Sequence, residues 1–222
     1  MHENYPIIEV FENNEKRLNF ERLREQLEAS EGVLRVFVHP LNYRDDNDTP
    51  LLPEIVGKYP EMQARRDKIH RAQETFRRFL ASDSPEKPPT IVFEEKSNVS
   101  NLQVVMSEIA TGDNVYIIET EDGGPDLYSL ENTALWPNLL DTLQEAGTEK
   151  IIIGGQSLAV EPGTGSYPEL EARLNLQSAE FPHHLEACVA GIAGELARRF
   201  PIEISNIAAP DNAADIKKLT QV

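Results

Sequence analysis

Short apolar strands alternating with amphipathic helices predict an α/β fold, a doubly wound three-layer sandwich with a mostly parallel sheet of about five strands. Three observations carry that expectation. Five runs, 33–38, 90–93, 115–118, 151–153 and 202–204, are nearly continuous in apolar residues, the pattern of strands buried on both faces. The segments between them repeat their apolar residues close to helical spacing. Connections from helix to strand are short or proline-rich, and right-handed crossovers then wrap the helices over both faces of the sheet.

The chain opens with an apolar stretch, Ile7 to Phe11, and a helix expected over about 15–30, striped by Leu18, Leu23 and Leu27 and stopped by Gly32. Val33–Val38 reads as a strand ended by His39-Pro40, since proline cannot donate to a ladder. A helix follows over about 60–81, with Ile69, Ala72, Phe76, Phe79 and Leu80 on one side and Arg and Lys on the other. Strand 90–93, a helix over about 101–110 and strand 115–118 come next. Helix 133–146 carries Trp136, Leu139, Leu140 and Leu143 on one face, with Gly147 in place for a C-terminal cap. Ile151–Ile153 runs into Gly154-Gly155. The last helix is expected over about 183–200, from His183 through Leu185, Cys188, Val189, Ile192 and Leu196 to Phe200, before the strand 202–204. The expected organisation is one domain over 1–222, with a strand and helix extension at 1–31 and a polar tail at 211–222.

A chain of 222 residues buries roughly 70–75% of its unfolded surface and holds a core without disulfide or metal. The single Cys188 fits a reducing compartment. No apolar run approaches the roughly 20 residues of a membrane span, and Met-His-Glu-Asn-Tyr-Pro lacks the basic and apolar regions of a secretory signal. A cytoplasmic location is expected. Charge is the extreme feature: 38 acidic against 21 basic residues give a net charge of −17. A field of that sign repels phosphate backbones and anionic lipid, so neither nucleic acid nor membrane is an expected partner. It suits a basic partner, a cation or a salty cytosol, and eight Lys against thirteen Arg agree with the last.

Loop lengths point to a site. Three strand-to-helix connections are long, 39–59, 119–132 and 154–182, and all three leave the carboxyl ends of parallel strands, where open α/β sheets bind ligands. The pocket wall expected there comprises His39, Glu94, Glu95, Glu119, Asp122, Gly154, Gly155 and Ser157, with 154–182 as a lid. Carboxylates converging from several loops suit a hard cation or divided acid and base roles. Loops are acidic throughout this chain, however, so solvated surface charge is the simpler account of them.

Gly155-Gln156-Ser157-Leu158-Ala159 follows a strand as a nucleophile elbow does, but Pro162, Gly163 and Gly165 interrupt the helix an elbow requires. His183-His184 suits a ligand or a loop surface. Gly191 and Gly194 lie within a helix, where small residues permit close helix-to-sheet packing rather than phosphate binding. Lys96, in Glu94-Glu95-Lys96-Ser97, and Cys188-Val189 are similar to segments of the isochorismatase-like cysteine hydrolases. In that family an α/β sheet presents an Asp, a Lys and a Cys at the start of a helix. Two departures set this chain apart: about 30 residues separate Cys188 from the preceding strand, and His39 stands near the place of the Asp. Cys188 also falls on the apolar stripe of its helix, as a core thiol does.

The leading expectation is a protein that binds or processes a small molecule at the carboxyl edge, by carboxylate- or metal-assisted hydrolysis or group transfer if it is an enzyme. The alternatives are a non-catalytic acidic protein that binds a basic partner, and a cysteine hydrolase using Cys188. Cofactor and oligomeric state are left open.

Overall fold

The structure is a computed structural model that describes residues 7–8, 20–40, 63–80, 88–95, 102, 114–120, 135–155, 158–174, 176 and 182–205. In chain order these form β1 (Ile7–Ile8), α1 (Phe20–Ala29), β2 (Val33–Val38), α2 (Gln63–Leu80), β3 (Thr90–Glu95) and β4 (Val115–Thr120). Then come α3 (Leu135–Glu145), β5 (Lys150–Gly155), β6 (Ala159–Pro162), α4 (Pro168–Arg173), β7 (His183–Glu186), α5 (Ala187–Ala197) and β8 (Ile202–Ile204).

One sheet has the order β1-β4-β3-β2-β5-β8, and every neighbouring pair in it is parallel. Five of its strands have three or more residues; β1, with two, is the short edge. From β2 the chain steps outward through β3 to β4, then returns across the sheet to β5 and steps the other way to β8.

That reversal puts helices on both faces, as right-handed crossovers require. On one face α2 covers β2: Phe37 meets Phe76 and Phe79, each pair with ring centroids 4.9 Å apart. On the other, α1, α3 and α5 close over Leu34, Val36 and Val38 of β2, Ile91 and Phe93 of β3, Tyr116 and Ile118 of β4, and Ile151 and Ile153 of β5. Period-2 alternation along each strand divides these two sets. Leu23 and Leu27 of α1 belong to the second core, so the N-terminal helix is part of the sandwich.

Helix ends follow the chemistry of their residues. Gly147 after α3 takes φ +87, and Thr148 N donates to Leu143 O at 3.0 Å, a Schellman closure. After α1 both Glu31 and Gly32 take positive φ, and Gly32 N donates to Leu27 O at 2.7 Å. Alanine does not fit at Gly32, where a Cβ would lie 2.7 Å from Glu149 Cγ and 2.9 Å from Gly147 O.

The C-terminal third departs from expectation. The last helix begins at Ala187, not His183; His183–Glu186 is a strand paired antiparallel with Ala159–Pro162. The stretch read as a 154–182 loop therefore contains a strand and the short helix α4. Of the expected 101–110 helix only Leu102 is described, and it is helical and buried. The polar 211–222 segment and the loops after Pro40 and Thr120 lie outside the described residues.

Candidate functional site

Strands β2 and β5 are neighbours whose chain connections leave in opposite directions over opposite faces. In doubly wound folds the carboxyl edge beside such a switch point is where ligands are commonly held. Register sets the residues there. Val38 pairs with Gly155 on one side and Phe93 on the other, which brings His39 level with Glu94. Glu94 in turn pairs with Glu119 of β4, and Glu95 with Thr120. Neighbouring strands lie about 4.8 Å apart, so His39, Glu94 and Glu119 form one short row across three strands.

His39 carries the local strain. Its φ is +49, outside the usual range for a residue with a side chain, although His enters that region more readily than most. It is also only 2% exposed, and its backbone N–H donates to Phe93 O at 2.7 Å. The last ladder bond between β2 and β3 thus holds in place a backbone turn that costs about 1–3 kcal/mol.

Glu94 is 0% exposed and Glu95 6%. A carboxylate taken out of water needs hydrogen-bond partners to offset several kcal/mol of lost hydration, and Glu94 Oε1 accepts the backbone N–H of Glu95 at 2.9 Å. Arg35, a buried cation of β2 on the face that Glu94 shares, pairs in register with Thr90. Four strand residues, about 13 Å, separate Thr90 from Glu94. Arg35 serves the α2 layer instead: its guanidinium lies 4.2 Å from the Phe79 ring centroid, and burial pushes its pKa down to about 10.

Of the expected wall, His39, Glu94 and Glu95 are buried, and register sets His39 level with Glu94 and Glu94 level with Glu119, while Glu95 faces the opposite side of the sheet from Glu94. Gly154 and Gly155 are the last residues of β5 and are buried. The close approach that Gly155 permits is made by α5: a Cβ there would lie 2.4 Å from Val189 Cγ2 and 2.7 Å from Val38 O. Asp122 and Ser157 lie outside the described residues, as do the side chains of His183 and His184. Among the described residues no group of three or more His, Cys, Asp or Glu is placed to hold a metal ion.

The β6–α4–β7 insertion is anchored rather than loose. Leu170 of α4 is fully buried in the main core, and a Cβ on Gly194 of α5 would lie 2.1 Å from the Tyr167 ring. The glycine inside α5 therefore admits the insertion, not the sheet. The insertion also accounts for the residues between β5 and Cys188. They fold back as a hairpin and a turn of helix, leaving Cys188 as the second residue of the helix that crosses from β5 to β8. The thiol is 7% exposed within the core, next to the Val189 that covers Gly155. Sequence patterning missed this placement because the gap reads as one long loop.

No helix among the described residues is long and apolar enough to cross a membrane. Fold and register define an α/β protein with His39 and Glu94 buried at the carboxyl edge of its parallel sheet. In comparisons with known proteins, no family model, no curated protein and no solved structure matches the chain.

Proposed function

We propose that this protein binds and processes a small polar molecule at the carboxyl edge of its sheet, in the crevice between β2 and β5. One observation supports the reading: His39, on strained backbone, and Glu94 are buried ionisable residues level with each other at the carboxyl ends of β2 and β3, beside the switch point, with Glu95 buried next to them in sequence on the opposite face. Burying a carboxylate costs hydration that an apolar residue at the same edge would not lose, and buried ionisable groups are found preferentially at functional sites. Hydrolysis or group transfer assisted by carboxylate and imidazole is the reaction class these groups serve.

A thermal-shift screen against nucleotides, sugar phosphates, divalent cations and common metabolites tests this. A ligand at 100 times its Kd stabilises the native state by about 2.7 kcal/mol, which raises Tm by roughly 5–10 °C for a chain of this size. The shift is expected to vanish in Glu94→Gln and persist in Glu203→Gln, a control on the exposed β8 edge. A shift that survives Glu94→Gln unchanged means the ligand sits elsewhere and sinks the reading.

A second reading rests on the position of Cys188 at the start of α5, beside the residue that covers Gly155. A helix N-terminus favours the thiolate, and a cysteine nucleophile there would serve the same crevice, as in the isochorismatase-like hydrolases. Alkylation of the folded protein by iodoacetamide, faster than that of the unfolded chain at pH 7, is its expected signature. A thiol that resists alkylation until the protein unfolds is a core residue and nothing more.

A further inference from the structure

Among the described residues the two helical layers differ in net charge. The 18 residues of α2 contain six basic side chains (Arg65, Arg66, Lys68, Arg71, Arg77, Arg78) and two acidic ones, Asp67 and Glu74. With 21 basic and 38 acidic residues in the whole chain, 15 basic and 36 acidic remain elsewhere. One helix is therefore net positive in a protein that is otherwise strongly negative. Its Arg71, Arg77 and Arg78 are exposed. The Arg78–Glu74 pair, 3.3 Å apart on side chains 69% and 52% exposed, is too open to water to hold Arg78 from another partner.

The opposite outer layer carries the reverse sign. Glu25 and Glu28 of α1, Glu31 after it, Glu145 of α3 and Glu149 after it are all exposed. The two turns touch: Glu149 N donates to Gly32 O at 2.9 Å, so the acidic ends of α1 and α3 form one surface. The same layer also carries Arg24, Arg198 and Arg199, and the Arg24–Glu28 pair is as open to water as Arg78–Glu74, so the face is net acidic rather than free of cations.

We propose that the α2 face docks on the acidic α1/α3 face of a second copy of this chain. Complementary charge on opposite faces of one sandwich makes the contact head-to-tail, a heterologous geometry that can continue from copy to copy. It must work against a net charge of −17 on each chain, and ionic strength decides which effect wins. At 0.01 M salt the screening length is about 30 Å, longer than the radius of gyration of about 17 Å for a domain of this size, so whole molecules repel. At 0.15 M it falls to about 8 Å, and only the apposed faces sense each other. At 1 M, about 3 Å, the face-to-face attraction is screened as well. Association therefore passes through a maximum near physiological salt, a signature that neither apolar docking nor simple acidic repulsion produces.

Sedimentation equilibrium of the full chain at 0.01, 0.15 and 1 M NaCl tests this. The weight-average mass is expected to exceed 25.0 kDa and rise with concentration at 0.15 M, and to stay near 25.0 kDa at both extremes. R71Q/R77Q/R78Q and E28Q/E145Q/E149Q should each remain monomeric at 0.15 M, with far-UV circular dichroism confirming the fold. Mixed in equal amounts they should give one 1:1 complex, because each retains the face the other has lost. If the first variant fails to fold, the second variant and the salt series decide. A wild-type mass of 25.0 kDa at every salt, or a basic-face variant that associates like wild type, overturns the proposal and leaves α2 to an acidic partner of other origin.

Discussion

The two faces of the central sheet are built for different ends. Beneath α1, α3 and α5 the strands contribute an almost unbroken apolar set, Leu34, Val36, Val38, Ile91, Phe93, Ile118, Ile151 and Ile153. Beneath α2 the same strands alternate apolar and polar groups, with Arg35, Thr90 and Glu94 buried beside Phe37, Val92 and Ile117. Apolar burial yields roughly 25 cal/mol per Å², so the first face supplies most of the stability. The second gives up some of that gain to keep ionisable groups out of water, and its carboxyl end coincides with the switch point. An apolar core and a layer with buried polar groups thus sit back to back on one set of strands.

Adjacent residues of β3 break or sharpen that contrast. Phe93→Ala, on the apolar face, should cost about 3–5 kcal/mol in chemical denaturation. Glu94→Gln, the next residue on the other face, retains an acceptor for Glu95 N and should change stability by no more than about 1 kcal/mol. A loss for Glu94→Gln as large as that for Phe93→Ala would make the polar row part of the scaffold.

A smaller effect separates the faces by pH. Tyr116, on the apolar face, donates its hydroxyl to Gln26 Oε1 at 2.7 Å, and burial pushes its pKa up to about 12. The unfolded tyrosine ionises near 10, so the stabilisation from the neutral phenol is whole below pH 10 and is lost as pH rises to 12. Arg35 has the opposite sign: burial lowers its pKa to about 10, so the cost of burying its charge eases over that window. Tyr116→Phe should cost about 0.5–1.5 kcal/mol near neutral pH. The gap between wild type and variant in urea midpoints should then close between pH 10 and 12. A gap independent of pH would mean the hydroxyl does not sense its burial.

Much of this architecture was legible because its strands are apolar on both faces and its helices amphipathic. The main strands and the helices α1, α2 and α3 fall within a few residues of expectation, and the glycine stop at Gly147 is where the pattern put it. The β6–α4–β7 insertion was not legible, for a physical reason. Pro162, Gly163 and Gly165 read as loop, and Leu185 lies three and four residues before Cys188 and Val189, so β7 reads as the first turn of α5. The candidate site was half legible. Its edge followed from loop lengths, but the burial of Glu94 and Glu95 did not, because acidic residues in so acidic a chain suggest solvated surface. They are buried because β3 continues two residues beyond its apolar run and pairs there with Glu119 and Thr120. The positive φ of His39, which sits where β2 ends before Pro40, is likewise not a feature that side-chain pattern signals.

The most direct test of the carboxyl-edge site is an NMR titration of the isotope-labelled protein with whichever compound gives the largest thermal shift. Amide perturbations should concentrate at His39, Glu94, Glu95 and Gly155, with Gly32, Thr148 and Lys150 at the amino edge unmoved. Perturbations centred on the amino edge or on the outer face of α2, with the His39–Glu94 row silent, would contradict the account.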